Sequence, residues 1–163
     1  MGIDLSLRQT AAVIAIAGTN VPGHSMTCGE DLTHDATAEE KLLRMRKITE
    51  ALIAFREQHR ASHVFVEQYA YNMSQASRAH SMGELGGIVK NAFFDSGVIV
   101  LPVVATQARK FLFGRLPAKG AKKEASRRLK VMGFVFRTED EGDAFIVANY
   151  GLSELGYPAL SVG

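Results

Sequence analysis

Apolar residues crowd positions 1–4 and 11–17, rich in Val, Ile and Ala, and a polar stretch over 6–10 separates them. That pattern predicts two strands joined by a turn, a hairpin. Residues 18–35 are rich in Gly, Thr and His and show little periodicity, so loop is expected there, with one weak strand near 25–28. The character changes at Thr37. Thr37-Ala38-Glu39-Glu40 forms a Thr-x-x-Glu capping box, and behind it Ala38, Leu42, Met45, Ile48, Leu52 and Phe55 step by threes and fours, which predicts an amphipathic helix.

His63-Val64-Phe65-Val66-Glu67 is a short apolar run ending in an acid, as in a buried strand with Glu67 at its C-terminal end. A helix is expected over 74–95. It carries Gly83, Gly86 and Gly87, each costing about 1 kcal/mol relative to Ala, so a helix or a nucleic-acid backbone is expected to approach that face closely. Residues 98–104 read as a further buried strand in which Pro102 signals an edge or a bulge. Thr106 is placed to cap a short helix to Phe113, and after a Gly/Pro loop the basic segment 118–132 reads as another helix. A second capping box, Thr138-Glu139-Asp140-Glu141, opens a last helix running to about residue 155. With no internal repeat or low-complexity tract, this order predicts an α/β layer structure: an opening antiparallel meander, then strands returning through helices.

Length and composition narrow the class. A chain of 163 residues suits one compact domain, and 47% hydrophobic residues, 22% charged and four prolines exclude a disordered or collagenous chain. One cysteine excludes a disulfide scaffold and suits a reducing compartment. The longest uncharged stretch is 9–29, but its apolar part, 11–17, is too short to span a bilayer. No basic start precedes an apolar run of signal-peptide length, so a cytoplasmic protein with no membrane partner is expected.

Charge changes the picture further. Arg109, Lys110, Arg115, Lys119, Lys122, Lys123, Arg127, Arg128 and Lys130 are nine of the 19 basic residues, gathered in one segment against the single acid Glu124. Such a block attracts a polyanion without reading sequence, although a solvated helix face has the same composition.

The acids that fall on apolar elements are the candidate chemistry, since an ionised group there is costly unless compensated. Asp4 ends the first strand and Glu67 ends the 63–67 strand. In the last helix Asp140 and Asp143 share a face that continues through Ala144, Val147, Ala148 and Gly151 toward the core. Glu139 and Asp143 are an alternative pair, but their face continues through Gly142, Ile146 and Tyr150, a less uniformly buried series; Glu141 is assigned to the capping box. If the two strands are neighbours under the last helix, Asp4, Glu67, Asp140 and Asp143 converge, and bound divalent cations relieve their repulsion. Oxygen ligands favour Mg²⁺ or Mn²⁺ over zinc, and two such ions about 4 Å apart serve phosphodiester hydrolysis. Taken singly, each acid has a plain alternative: a turn former, a strand end, or a carboxylate at a helix N-terminus.

Gly2-Ile3-Asp4, Glu67-Gln68 followed by the glycine-bearing helix, Ala105-Thr106-Gln107-Ala108-Arg109-Lys110, the basic helix and Asp140-Glu141-Gly142-Asp143-Ala144 occur in an order and spacing that resembles RuvC-type Holliday junction resolvases, including phage-type members. The resemblance covers nearly the whole chain. It implies an RNase H-like (retroviral integrase superfamily) α/β fold, a mixed sheet with helices on both faces, and a homodimer that cuts four-way branched DNA symmetrically. It further implies two Mg²⁺ ions per active site, replaceable by Mn²⁺, on Asp4, Glu67, Asp140 and Asp143. Phosphate contacts are implied for Arg109, Lys110, Lys119, Lys122, Lys123 and Arg127, with Lys122 or Lys123 nearest the scissile group. Gly83, Gly86 and Gly87 are implied at the dimer interface. The chain departs from the family in running Leu5-Ser6 after Gly-Ile-Asp, where Pro-Gly is usual. It also has Ala70 where an aromatic is usual, flanked by Tyr69 and Tyr71, either of which is able to stack on an unpaired base. A broader range of branched substrates is therefore expected.

Two alternatives keep the fold: an RNA-processing nuclease like the YqgF relatives, and a non-catalytic junction scaffold, against which four intact acids argue. No Gly-rich phosphate loop is present, so no nucleotide cofactor is expected. The histidines show no regular metal spacing; His24 with Cys28 is a minor zinc candidate, with loop residues as the plain reading. Arg8, Gln9 and Thr10 are either DNA contacts or solubilising turn residues, and Met45, Met73 and Met82 read as core or interface filler.

Overall fold

In the computed structural model, which describes residues 1–19, 21–68 and 76–160, the opening hairpin is formed by β1 (Gly2–Asp4) and β2 (Thr10–Ala15), paired antiparallel. The Thr10 hydroxyl closes its turn, donating to the Ser6 carbonyl and accepting from the Ser6 N–H. β3 (Pro22–Cys28) continues the meander on the outer side of β2. It is longer than expected because most of its side chains are exposed or half-buried, so backbone pairing makes the strand and hydrophobicity does not announce it.

β4 (Val64–Glu67) lies parallel to β1, and β5 (Val100–Val103) parallel to β4, giving the sheet order β3-β2-β1-β4-β5. β5 is an edge strand, as Pro102 indicated. It is half-buried rather than buried, and the preceding Ile99 is 71% exposed.

Strand alternation divides the core between the two faces. Ile3, Leu5, Ala12, Val64 and Val66 point to one face, under α1 (Ala38–Gln58) and α2 (Ala76–Asp95). Ala11, Val13, Phe65 and Val103 point to the other, under α3 (Ala105–Phe113), α4 (Ala121–Val131) and α5 (Glu139–Glu154). None of the described helices is long and apolar enough to cross a membrane.

The Thr37 capping box forms as read: its hydroxyl accepts from the Glu40 N–H, and the Glu40 carboxylate accepts from the Thr37 N–H. Burial of the stripe begins only at Met45, however. Ala38 and Leu42 are exposed, because the first turns of α1 extend beyond the apolar cluster. Thr106 is not a cap. α3 starts at Ala105 and its N-cap is Val104, with no side-chain hydrogen bond. α4 starts at 121 rather than 118, because Gly120 turns the chain into it with a left-handed φ of 79°. The second capping box is half-formed. Thr138 accepts from the Glu141 N–H, but the fully buried Glu141 carboxylate reaches past Thr138 to the N–H and guanidinium of Arg137.

α5 is the central helix of its layer. It packs on β1, β2 and β4 and is covered in turn by α3 and α4. Its burial is therefore continuous from Glu141 to Asn149, including the Gly142–Ile146 face that the sequence suggested was less buried. At two points between α5 and the sheet there is no space for a side chain. A Cβ on Gly2 would lie 2.0 Å from the Ala144 carbonyl oxygen, and one on Gly151 would lie 2.2 Å from the Phe65 ring. That closeness brings the N-terminal turns of α5 over the ends of β1 and β4.

Candidate active site

Asp4 is the last residue of β1. The parallel register Gly2↔Phe65, Ile3↔Val66 carries it opposite Glu67, the last residue of β4. Alternation puts both on the α5 face, and neighbouring strands are about 4.8 Å apart. α5 supplies Asp143 from above. Carboxylate oxygens of Asp4, Glu67 and Asp143 all lie within 4.8 Å of one another, with Asp4 5% and Asp143 2% exposed. Asp140, one turn earlier, is outside this group of three and joins it through a shared lysine.

That lysine is Lys122 of α4. Its Nζ is 2.8 Å from Asp4 Oδ2 and 3.1 Å from Asp143 Oδ2, and it also hydrogen-bonds Asp140. Arg109 of α3 holds Asp143 in a bidentate pair, Nε to Oδ1 at 3.0 Å and Nη2 to Oδ2 at 2.7 Å. Four carboxylates thus face two cations, and the imbalance is felt most at Asp4. Burial, and then the Glu67 charge, push its carboxyl up to about 8 against the pull of Lys122. For Lys122, burial opposes the charge, but Asp4 and Asp143 outweigh it and hold the ammonium above the ordinary lysine range. Arg109 is held up in the same way by Asp143 against its own burial.

The donor set fits a hard divalent cation: closely spaced carboxylate oxygens, with a lysine ammonium among them as a stand-in positive charge. Asp4, Glu67 and Asp143 are the residues placed to hold one, with Asp140 at the half-exposed rim.

The basic residues divide into two sets. Lys122 enters the cluster while its neighbour Lys123 is exposed outside it. Arg109, read as a phosphate ligand, is instead committed to Asp143 and only 14% exposed. This pairing was missed, although Arg109 follows Ala105 by four on the buried Ala105–Ala108–Leu112 side of α3. Lys110 and Lys119 are exposed. Arg127 and Arg128 both grip Glu124, which drives that carboxyl down to about 2 and offsets part of the block's charge.

Other candidates fall elsewhere. Outside their own stretch of helix, no described residue has an atom within 4 Å of a Cβ built on Gly83, Gly86 or Gly87, so among the described residues nothing makes the expected close approach. Tyr69, Tyr71 and Met73 lie outside the described residues. His24 stacks on His59 with ring centroids 4.1 Å apart, and Cys28 packs against the core with its thiol pushed up to about 11 by burial, an arrangement unlike a zinc site. Arg8 pairs with Asp31, and Thr10 is buried in the turn.

No family model and no curated protein matches the chain. Among solved structures, that of Thermus thermophilus RuvC is similar, with a TM-score of 0.68 and 23% sequence identity over 98% of each chain. T. thermophilus RuvC in complex with Holliday junction substrate gives a TM-score of 0.71 and 20% identity over 98% of this chain and 97% of that one. The five-stranded mixed sheet, the helices on both of its faces and the near-complete superposition establish that this chain has an RNase H-like α/β fold, the fold of RuvC.

Proposed function

We propose that the protein is a divalent-metal-dependent endonuclease that resolves four-way DNA junctions as a homodimer. The observation that carries this reading is the carboxylate cluster of Asp4, Glu67 and Asp143 at the ends of two parallel strands, on a fold shared with a protein solved on a Holliday junction. Bound there, Mg²⁺ or Mn²⁺ would activate a water for attack on a phosphodiester and neutralise the leaving oxygen. Asp4, Glu67, Asp140 and Asp143 are proposed as its ligands.

Lys122, on the short α4 that forms one wall of the cluster, is the cation closest to where a scissile phosphate would lie. Arg109 orients Asp143. Lys110, Lys119 and Lys123, exposed on α3, α4 and the loop between them, are proposed to hold backbone phosphates in a positional, salt-sensitive way, with a smaller share from the Glu124-paired Arg127. The dimer is assigned to the open glycine face of α2, beside which Phe94 and Ile99 stand 69% and 71% exposed. Tyr69 and Tyr71 are proposed to meet the junction centre.

The deciding experiment offers end-labelled four-way, Y-shaped and linear DNA, and a structured RNA competitor, with Mg²⁺ or with chelator. Paired Mg²⁺-dependent nicks on opposite arms of the four-way junction, absent from linear duplex, are expected. Tight binding without cutting would replace the nuclease reading with a scaffold, and preference for the RNA would change the substrate class.

Asp4 adds a pH signature. Its carboxyl rises from 3.8 to about 8 on folding, so the metal-free fold holds a proton there that the unfolded chain has released, and this group's contribution to stability falls as pH rises across that window. A cation needs the ionised form. Metal affinity is therefore expected to rise with pH up to about 8 and level off above it. Calorimetric titration with Mn²⁺ in buffers of different ionisation enthalpy should record a proton released per site near neutrality and almost none well above pH 8; equal release at both would remove Asp4 from the ligand set.

A further inference from the structure

A cavity of about 450 Å³ opens between α3 and the loop that leads into α4, bordering the carboxylate cluster but separate from it. Its wall is Thr106, Leu116, Pro117, Ala118 and Ala121; its cationic rim is the exposed Lys110 and Arg115, with Arg109, already paired to Asp143, on the side toward the cluster. No carboxylate is among its described lining residues. Cavities of roughly 300–1,000 Å³ with apolar walls and a few fixed polar groups are the usual form of small-ligand sites.

The combination selects one kind of occupant. A bare phosphate has no use for four apolar side chains, and an apolar peptide has no use for two exposed cations with no carboxylate in the lining. A nucleotide unit satisfies both, with its flat base against the apolar wall and its phosphates at the rim. Continuity with the cluster says which nucleotide. Arg109 borders the cavity and also holds Asp143, and Ala121 immediately precedes Lys122 in α4. We infer that this cavity receives an unpaired base next to the phosphate held at the carboxylate cluster, a reading that rests on the nuclease function proposed above.

A base inside a duplex is stacked on both faces and cannot enter, and extracting it costs a few kcal/mol, least where it is already unpaired. The cavity therefore makes a branch point the preferred substrate over continuous duplex, by rewarding a base that the branch has already freed. Selectivity for branched DNA then arises within one protomer, in addition to whatever the paired protomers measure.

The test uses the full-length protein in Ca²⁺, to hold the substrate uncut, with four-way junctions carrying a single 2-aminopurine at successive positions around the branch. One position is expected to brighten several-fold on saturation. The rise should be lost in Thr106→Leu/Ala118→Leu, which narrows the cavity from two exposed lining positions outside the cluster, and the preference for the four-way junction over linear duplex should fall several-fold, while duplex affinity and melting temperature stay near native. Ala118→Leu alone should give a partial loss. Junction binding with no brightened position, or a rise that survives in the double variant, overturns the cavity reading alone. No junction binding in a gel shift overturns the nuclease proposal and this one with it.

Discussion

Replacing Asp143 with Asn is expected to abolish the strand cutting proposed for this protein, with a rate loss of about a thousandfold or more, the scale seen when one charged group is removed from a reacting centre. Junction binding should change little, because Lys110, Lys119 and Lys123, proposed to hold the phosphates, lie on other elements. The side chain is 2% exposed and takes two hydrogen bonds from Arg109; Asn keeps its size and leaves one oxygen to accept. It removes one charge from a crowded set and leaves Arg109 short of a partner; these effects on stability oppose each other. A melting temperature near native, junction binding near native and no nicks is the expected triad. Near-native cutting would take Asp143 out of the reaction. Loss of binding and melting temperature together would mean that its pair with Arg109 is chiefly structural.

The largest stability effect is expected at a residue with no side chain. Gly2→Ala places a Cβ 2.0 Å from the Ala144 carbonyl oxygen and 2.6 Å from the Ala148 nitrogen, both backbone atoms of α5. Neither is able to rotate away, so α5 must lift off β1, at a cost of about 3 kcal/mol or more. For a chain of this length the melting temperature should fall by roughly 10 °C. Activity should fall further than the unfolded fraction explains, because α5 carries Asp143 away from Asp4 and Glu67. Gly142→Ala is the matched control: its nearest neighbour is the Leu129 side chain at 3.3 Å, which has room to adjust. Equal melting for native and Gly2→Ala would mean that α5 sits farther from the sheet than described.

These two residues also mark what the sequence made legible. β1, β2 and β4 were legible as apolar runs because both faces of the sheet are covered there, and α1 as a stripe stepping by threes and fours because one of its faces meets the core. β3 is weaker because its side chains face solvent, and α5 misled because a helix covered on every side has no polar face to contrast with its apolar one. Asp4 and Glu67 were legible as acids ending apolar strands, and Asp143 as an acid at the head of a core-facing helix stripe. The cations that hold them were not, since Arg109 and Lys122 look like the rest of a basic block until α3 and α4 fold over α5. The glycines of α2 predicted a close neighbour, and within the described chain their face is open.

Lys122 and Arg109 also bear on how the fold would endure removal of a metal bound at the cluster. An ammonium carried on a side chain cannot be dialysed away. In small zinc domains the ligands have no other countercharge, and stripping the ion unfolds the chain. Here Asp4, Asp140 and Asp143 are already paired with fixed cations that arrive with the fold itself. A chelator would therefore silence the protein without dismantling it, and the site would stand assembled, ready to be reloaded.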